Sequence, residues 1–352
     1  MKKFILLLIC GSFCLFTAQA QLVVTSPTSL NQMVNNFILT GVTASNVAFT
    51  GDSNAVGTFT GGNSTTLGIN DGIILTTGVI NGVPAIGDPA AQFANFNNSQ
   101  PGDVLLNSIT TYPTYDAAVL EFDLVPVGNV LEFQYVFASE EYPEFVNSSF
   151  NDIFGFFING MFPSGGNYVN SNIAIIPSTI LPVCINNVNA GANSSYFVDN
   201  LGLNGTSIVY DGYTTVLIAQ AFVVPASTYH LKMAIADVGD GVFDSGIFLK
   251  AQSMKSYMLT GVNENATSQF SIAPNPVNGD SKLNINLTHE GNVKITITDI
   301  SGKVVYATQK SFTAAGPQQV TLGEFTQNNN AGIYMIRIET DDVCQIQKLI
   351  KY

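Results

Sequence analysis

The sequence predicts an all-β protein with two units. From about residue 41 to residue 253, short apolar or alternating runs are separated by Gly, Asn, Asp and Pro, and the alternation returns after residue 270. The 352 residues are 46% apolar and only 11% charged, which allows a buried core in each unit and argues against disorder. We therefore expect a large, jelly-roll-like β-sandwich with an N-terminal helix, followed by a small, Ig-like β-sandwich.

The first twenty residues have the pattern of an export signal. Lys2 and Lys3 precede an apolar run from Phe4 to Phe16, and small residues stand at Ala18 and Ala20. Residues 1–20 are therefore predicted to be a signal peptide that is removed before Gln21. No later apolar stretch approaches the roughly 20 residues needed to cross a bilayer, so no transmembrane segment is predicted.

The first predicted element of the remaining chain is a helix. Ser26 can cap it, Pro27 suits its first turn and Gly41 ends it, while apolar residues recur at helical spacing at Leu30, Met33, Val34, Phe37 and Ile38. After it, the clearest predicted strands are Val119–Val125, Asn129–Ala138, Asp152–Ile158, Thr214–Val224, Thr228–Ala236 and Gly246–Ala251.

A polar stretch with neither helical nor strand period separates the two predicted units. We place the first unit at residues 21–255, the linker at 256–269 and the second unit at 270–352. Strand alternation in the second unit is plain at Leu283, Ile285 and Leu287 and again at Val293, Ile295 and Ile297.

Charge is distributed unevenly along the chain. From Gln21 to Thr260 there are three Lys, no Arg and 17 acidic residues, a net charge of −14. Such a surface repels nucleic-acid phosphates and anionic lipid headgroups, so nucleic acid is not expected as a partner. Cations are the natural small partners.

Residues for the common catalytic sites are scarce. The chain has two His, of which only His230 lies in the first unit, and no G-x-S-x-G motif. His230 fits a solvent-facing strand position, and Cys184 fits a buried small apolar residue. One Cys and one His cannot close a zinc site in that unit. The residues therefore predict that the protein is not an enzyme.

Acidic residues are concentrated at the predicted strand ends. Glu140 and Glu141 follow one strand, Asp152 opens the next, and the turn before the last strand contains Asp237, Asp240 and Asp244. Oxygen donors of this kind suit calcium, which takes six to eight oxygen ligands. The six residues are therefore our candidate calcium ligands: Glu140, Glu141, Asp152, Asp237, Asp240 and Asp244. The alternative is a set of solvated acidic loops in which Asp244 and Asn151 cap turns.

A carboxylate pair could instead hydrolyse glycosides. Glu140 or Glu141 with Asp152 or Asp240 would be the candidates, but the chain has no Trp to stack on a sugar ring. Tyr142, Phe145 and Tyr168 could offer a shallower aromatic platform, although buried packing or cover of an edge strand explains them equally well. The turn from Tyr142 to Phe145 is the best candidate for an exposed aromatic patch.

Three motifs near the C-terminus carry a family resemblance. They are SIAPNPVNGDSKLNI from Ser271, KITITDISGKVV from Lys294 and the closing AGIYMIRIETDDVCQIQKLIKY from Ala331. Together they resemble the C-terminal sorting domain of the type IX secretion system of Bacteroidetes. The resemblance implies that residues 270–352 are recognised by the type IX secretion machinery, are commonly removed after passage, and leave a product secreted or attached to the outer cell surface.

The first unit also resembles a known family. The block FASEEYPEFVNSSFNDIFGFFING from Phe137, together with YHLKMAIADVGDGVFDSGIFLKA from Tyr229, is similar to the choice-of-anchor L domain, and GTFTGGNSTTLGINDGIILTTG from Gly57 fits its N-terminal part. The resemblance implies a location at the bacterial surface but no reaction.

These observations together favour a non-enzymatic function outside the cell. We expect adhesion, or binding to an extracellular glycan or protein, supported by calcium. Two alternatives stay open at this point: an extracellular carboxylate-dependent glycoside hydrolase, and a structural component of a surface layer or matrix.

Overall fold

A computed structural model describes residues 22–82, 86–87, 93–163, 165–177, 179–201, 208–258, 270–299, 302–340 and 344–351. The predicted signal peptide and residues 259–269 of the predicted linker lie outside these residues. Within the described residues, every helix is far too short to cross a bilayer.

The first unit is built almost entirely from strands. Among its described residues the α-helices are α1 Leu30–Phe37 and α2 Val104–Asn107, and Gly62–Ser64 and Ser194–Tyr196 form short 3-10 helices. Its strands are β1 Val23–Thr25, β2 Ile38–Thr40, β3 Val42–Thr50, β4 Val56–Thr60, β5 Gly72–Thr76, β6 Thr114–Pro126, β7 Val130–Ser139, β8 Ile153–Met161, β9 Asn167–Asn172, β10 Val183–Cys184, β11 Phe197–Asp199, β12 Gly212–Thr214, β13 Leu217–Phe222, β14 Tyr229–Val238, β15 Ser245–Lys250 and β16 Met254–Tyr257.

These strands form two sheets. The larger has the order β1-β4-β5-β15-β7-β12-β11, with β13 and β16 also paired to β7 and β2 paired to β16. The smaller has the order β10-β8-β14-β6-β3, with β9 paired to β8. The two sheets share one core, in which apolar side chains of β7 such as Phe133 and Phe137 meet Phe154 and Phe156 of β8. The predicted all-β fold is confirmed.

The N-terminal helix is present but shorter than predicted. It begins at Leu30, and Ser29 rather than Ser26 caps it by accepting a hydrogen bond from the Gln32 backbone N–H at 3.4 Å. The chain before it, Val23–Thr25, is instead paired with β4. Met33, Val34 and Phe37 are its buried residues, in agreement with the predicted apolar spacing.

Most predicted strands lie within one to five residues of the observed ones. The exception is Thr214–Val224, where two strands, β12 and β13, replace one, and both pair with β7. Two residues of the predicted linker are also strand, because β16 continues to Tyr257 and pairs with β7 through Lys255, Ser256 and Tyr257.

The second unit has a separate apolar core between two small sheets. Its elements are β17 Phe270–Ala273, β18 Lys282–Leu287, β19 Gly291–Asp299, β20 Val304–Phe312, β21 Gly316–Thr321, α3 Gly323–Asn328, β22 Gly332–Glu339 and β23 Cys344–Lys351. The sheet orders are β17-β18-β21 and β20-β19-β22-β23. Alternate residues of β18 and β19 point into the core, as their sequences predict.

Candidate functional site: a buried acidic cluster at one end of the sandwich

Four strand ends meet at one end of the first unit. In the larger sheet, the end of β7 pairs with the start of β15 through Ser139 and Ser245. In the smaller sheet, the end of β14 pairs with the start of β8 through Ala236 and Ile153. Because the two sheets pack face to face, acidic residues beside these four ends come together between the sheets.

Five of the six predicted acidic residues are buried at this end. Their exposed fractions are between 0% and 4% for Glu140, Glu141, Asp152, Asp237 and Asp244. We call these five residues the acidic cluster. The sixth, Asp240, is only half-buried, and its Oδ1 accepts a hydrogen bond from the Val242 backbone N–H at 3.1 Å. Asp240 therefore lies at the edge of the cluster, close enough to Glu141 to raise its pKa.

Asp152 connects the two sheets. Its Oδ1 accepts a hydrogen bond from the Val238 backbone N–H at 2.9 Å, and its Oδ2 accepts one from Ser245 Oγ at 2.6 Å. Val238 belongs to the smaller sheet and Ser245 to the larger. The carboxyl groups of Asp152 and Asp237 are close enough to influence each other's pKa.

Four oxygens of the acidic cluster have no hydrogen-bond partner among the described residues. They are both carboxyl oxygens of Glu140, Oε2 of Glu141 and Oδ1 of Asp237. The amides of Ala94 and Asp211 lie near the Glu140 carboxyl without completing a hydrogen bond of good geometry. A buried polar atom without a partner costs about 1–3 kcal/mol, and more when it is charged. The four oxygens without a partner therefore lower the stability of the folded protein at this end of the sandwich.

Burial and mutual repulsion raise the pKa of every carboxyl in the cluster. Desolvation, followed by the nearby charge of Asp211, raises the pKa of Glu140 to about 9. Desolvation, followed by the charge of Asp152, likewise raises the pKa of Glu141 to about 9. Burial raises the pKa of Asp152 and of Asp244 to about 7. The pKa of Asp237 is raised well above its ordinary value by burial and then by Asp152.

Two acidic residues that were not among the predicted ligands, Asp116 and Asp211, also lie at this site. Asp116 accepts hydrogen bonds from the backbone N–H groups of Asn98 at 3.1 Å and Gln100 at 2.6 Å, and burial raises its pKa. Burial also raises the pKa of the half-buried Asp211 to about 6. In the sequence, Asp116 could have been noticed because it lies directly before the apolar residues Ala117 to Leu120 of β6.

Gly78 makes room for one carboxyl of the cluster. A Cβ atom at this position would lie 1.9 Å from Asp244 Oδ2, which no packed structure tolerates. Asp244 is held there by a hydrogen bond from the Phe96 backbone N–H to Oδ1 at 2.9 Å. The end of β5 and the segment around Phe96 therefore fix the position of Asp244.

The described residues contain no group of three or more Asp, Glu, His or Cys side chains already positioned around a metal ion. The donor atoms nevertheless fit calcium by type, because all of them are hard carboxylate oxygens and four have no other partner. Glu140, Glu141 and Asp237 are the residues with free oxygens. Asp152 and Asp244 are already engaged by hydrogen bonds.

The aromatic platform is placed differently from the expectation. Tyr142 is fully buried, and its hydroxyl donates a hydrogen bond to the Val188 carbonyl at 2.6 Å. Tyr168 is also buried, at 4% exposure, with its hydroxyl on the Phe222 carbonyl. Both tyrosines are therefore core residues, so buried packing explains them and an exposed platform built on them is excluded. Only Phe145 is partly exposed.

His230 and Cys184 occupy the environments predicted for them. His230 is partly exposed on β14 and contacts Asp123 at 2.8 Å and Glu121 at 3.3 Å. Cys184 is 2% exposed, and burial raises the pKa of its thiol to about 11. Neither residue is part of the acidic cluster.

A cavity of about 440 Å³ lies away from the acidic cluster. Its lining includes two carboxylates, Glu132 and Glu339. Glu132 is 3.1 Å from Lys255 Nζ, and Glu339 is ion-paired with Arg337. Both carboxylates are thus neutralised by cations.

The second unit identifies the class of protein. A family model of the secretion system C-terminal sorting domain matches residues 271–352. The chain thus carries the tail by which type IX secretion recognises its cargo, and it is a secreted or cell-surface protein rich in β-structure.

The first unit identifies the family. The model of the choice-of-anchor L domain matches residues 22–255, more than half of the chain. The protein belongs to the choice-of-anchor L domain family. A search of curated protein sequences finds no match.

Solved structures show only distant similarity. PorZ, a surface component of the type IX secretion system of Porphyromonas gingivalis, is 13% identical over 33% of this chain and 14% of its own, with a TM-score of 0.19. Latent PorU of the same organism is 12% identical over 67% and 18%, with a TM-score of 0.20. The adhesin domain of Epf from Streptococcus pyogenes is 10% identical over 87% and 90%, with a TM-score of 0.17. The chain spans less than a fifth of the first two proteins, and TM-scores this low carry no argument about function.

Proposed function

We propose that this protein is a non-enzymatic surface protein that binds an extracellular glycan or protein, and that calcium stabilises the end of the sandwich that carries its acidic cluster. The observation that carries the proposal is the convergence of five buried carboxyl groups, four of whose oxygens have no partner. A divalent cation would neutralise part of this charge and give those oxygens a ligand to hold.

No lysine of the first unit neutralises the acidic cluster. The three lysines between Gln21 and Thr260 are engaged elsewhere: Lys232 with Asp103 at 2.6 Å, Lys255 with Glu132 at 3.1 Å and Lys250 with Gln134 at 2.9 Å. The alternative to a metal ion is protonation of the carboxyl groups, which their raised pKa values allow. Calcium sites of extracellular modules bind with a Kd of roughly 10⁻⁴–10⁻³ M, so an exported protein can use such a site.

In the proposed site, Glu140, Glu141 and Asp237 are the residues that would hold a calcium ion, because their carboxyl groups have oxygens without a partner. Asp152 and Asp244 contribute negative charge while their hydrogen bonds to Ser245 and Phe96 keep them in place. A bound ion would neutralise part of the negative charge between β7 and β14, which belong to opposite sheets. Rigid strand ends hold the adjoining loops in one arrangement, which favours binding.

Burial argues for binding rather than for glycoside hydrolysis. A catalytic carboxyl must reach the scissile bond, but Glu140, Glu141 and Asp152 are at most 4% exposed. The remaining candidate, Asp240, is half-buried, and its Oδ1 accepts a hydrogen bond from the Val242 backbone N–H. The absence of Trp from the sequence removes the most common sugar-stacking residue.

Thermal unfolding with and without calcium tests the metal. Calcium sites of extracellular modules have Kd values of roughly 10⁻⁴–10⁻³ M, so 10 mM calcium would stabilise the protein by about 1.4–2.7 kcal/mol. For a unit of this size that corresponds to a rise in Tm of roughly 3–10 °C over protein in excess chelator. The substitution Glu140→Gln should remove most of the rise, and Glu144→Gln, at an exposed neighbouring position, should leave it intact. An equal Tm in calcium and chelator refutes the metal site.

A second experiment separates binding from its alternatives. The protein is screened on a glycan array and against extracellular matrix proteins, with and without calcium, and assayed for release of reducing sugar. Saturable binding without turnover supports the proposal. Turnover that Glu141→Gln or Asp152→Asn abolishes in a folded protein establishes a hydrolase instead. Calcium-dependent self-association without ligand binding identifies a structural layer component.

A further inference from the structure

Four phenylalanine rings form a continuous row beside the acidic cluster. Phe93 contacts Phe243 with ring centroids 6.4 Å apart, Phe243 contacts Phe145 at 5.7 Å, and Phe145 contacts Phe150 at 5.3 Å. We call these four residues the aromatic row. Phe93 is 51% exposed, and the other three are half-buried. The row is therefore a surface feature, unlike the fully buried rings of the core.

The segments that carry the aromatic row also carry the acidic cluster. Phe243 directly precedes Asp244, and the Phe145 backbone N–H donates to the Glu141 carbonyl at 3.1 Å. Three residues after Phe93, Phe96 is also 51% exposed and donates its backbone N–H to Asp244 Oδ1 at 2.9 Å. The exposed rings are thus fixed to the same framework as the buried carboxyl groups.

The backbone at Phe243 has a strained conformation, and its ring is partly exposed. Its φ is +65°, in the left-handed region that bulky residues rarely occupy. Glycine or asparagine would adopt this conformation more easily. The Val242 N–H bond to Asp240 Oδ1 holds the preceding turn. A strained backbone that keeps a large apolar ring partly in solvent indicates that the ring serves binding rather than folding.

The charge around the aromatic row is negative and uncompensated. Glu144 is exposed beside Phe145, and the partly exposed Asp240 lies three residues before Phe243. The lysines of the first unit are paired elsewhere, as described above, and His230 contacts Asp123 and Glu121 on the outer face of the smaller sheet. Aromatic faces flanked by carboxylates match one chemistry best: cationic side chains, which gain from both cation–π contact and charge complementarity.

We infer that the aromatic row, together with Glu144 and Asp240, binds a lysine- or arginine-bearing polypeptide segment. The inference rests on the proposed binding function and deepens it by naming the ligand class. Ammonium or guanidinium groups would lie over the rings of Phe93 and Phe243, with the two exposed carboxylates as counter-charges. A neutral glycan would gain nothing from the negative charge at this surface, which favours a basic protein segment as the ligand.

Fluorescence anisotropy with a defined peptide tests the inference. The probe is a fluorescein-labelled eight-residue peptide of alternating Lys and Ser, titrated with the whole protein in calcium and 150 mM NaCl; a Glu–Ser peptide is the charge control. We expect saturable binding of the Lys peptide only. The variant Phe93→Ala with Phe243→Asn removes two rings, keeps every charge and suits the left-handed backbone, and should weaken binding at least tenfold. Ile218→Ala, at a 49% exposed apolar residue on β13, should have no effect.

The outcomes separate this inference from the proposed function. Equal binding of the Lys peptide by wild type and by the two-ring variant, with unfolding curves showing both folded, would reduce the interaction to general charge attraction and overturn the inference. Failure of the folded protein to bind the Lys peptide overturns it as well. Aromatic-dependent binding of a neutral oligosaccharide instead would contradict the cationic ligand while leaving the proposed binding function intact.

Discussion

The metal-free protein should lose stability as pH rises. The perturbation is a pH change from 5.5 to 8 in excess chelator. In the folded state Glu140 and Glu141 have pKa values of about 9, against an ordinary value of 4.5. Over this pH range both carboxyls keep their protons when folded and lose them when unfolded. A raised carboxyl pKa gives stability that is complete below the ordinary pKa and is lost as pH rises towards the folded pKa.

The size of the effect follows from the number of protons released on unfolding. Each proton contributes roughly 1.4 kcal/mol per pH unit, so two carboxyls give a ceiling of about 2.7 kcal/mol per pH unit. For a unit of this size, that ceiling corresponds to a fall in Tm of roughly 5–10 °C per pH unit. Asp152 and Asp244, with pKa values of about 7, steepen the fall below pH 7.

Urea or thermal unfolding at a series of pH values provides the assay. Glu141→Gln replaces a protonated carboxyl with a neutral amide of the same shape, so the slope should fall by about one proton. Glu144→Gln, at an exposed neighbour, should keep the wild-type slope. Saturating calcium should flatten the slope, because the ion competes with the protons. A Tm that stays level or rises between pH 5.5 and 8 in chelator would show that these carboxyls are not desolvated as described.

Three further substitutions have defined outcomes in the same unfolding assays. Gly78→Ala places a Cβ 1.9 Å from Asp244 Oδ2 and should destabilise the protein by several kcal/mol, whereas Gly279→Ala, with no atom within 4 Å, should be close to neutral. Ser245→Ala removes the 2.6 Å hydrogen bond to Asp152 Oδ2 and should cost about 1–3 kcal/mol, measured from the urea midpoint. Asp103→Asn weakens the 2.6 Å contact with Lys232 and the N-terminal cap of α2. The free energy of unfolding should fall by about 1 kcal/mol. An unchanged urea midpoint would show that the Asp103–Lys232 pair does not contribute to stability.

Much of the fold follows from local patterns in the sequence. Alternation of apolar residues locates β19 and the first half of β14, because only one face of each lies in a core. β7 is buried on both faces, and its apolar run between turn residues locates it instead. The carboxyl groups at the strand ends were likewise visible as acids placed next to apolar runs. Antiparallel pairing then brings Glu141 and Asp244 to the same end, which is why five of six selected residues form one cluster.

The remaining features depend on partners distant in sequence. Tyr142 is in a turn motif typical of the surface, yet it is buried. Its hydroxyl donates a hydrogen bond to the carbonyl of Val188, 46 residues later in the chain. Asp116 joins the site through backbone groups of a loop whose path is set by tertiary packing. The break between β12 and β13 is equally non-local, because both pieces pair with β7. No local period encodes such contacts.

Titration calorimetry of calcium into chelator-stripped protein measures binding at the acidic cluster itself. We expect saturable binding with a Kd in the millimolar to submillimolar range, loss of that binding in the double variant Glu140→Gln with Glu141→Gln, and unchanged binding in Glu144→Gln. Absence of binding heat at 10 mM calcium, or binding that the double variant retains in full, would contradict the proposed calcium site.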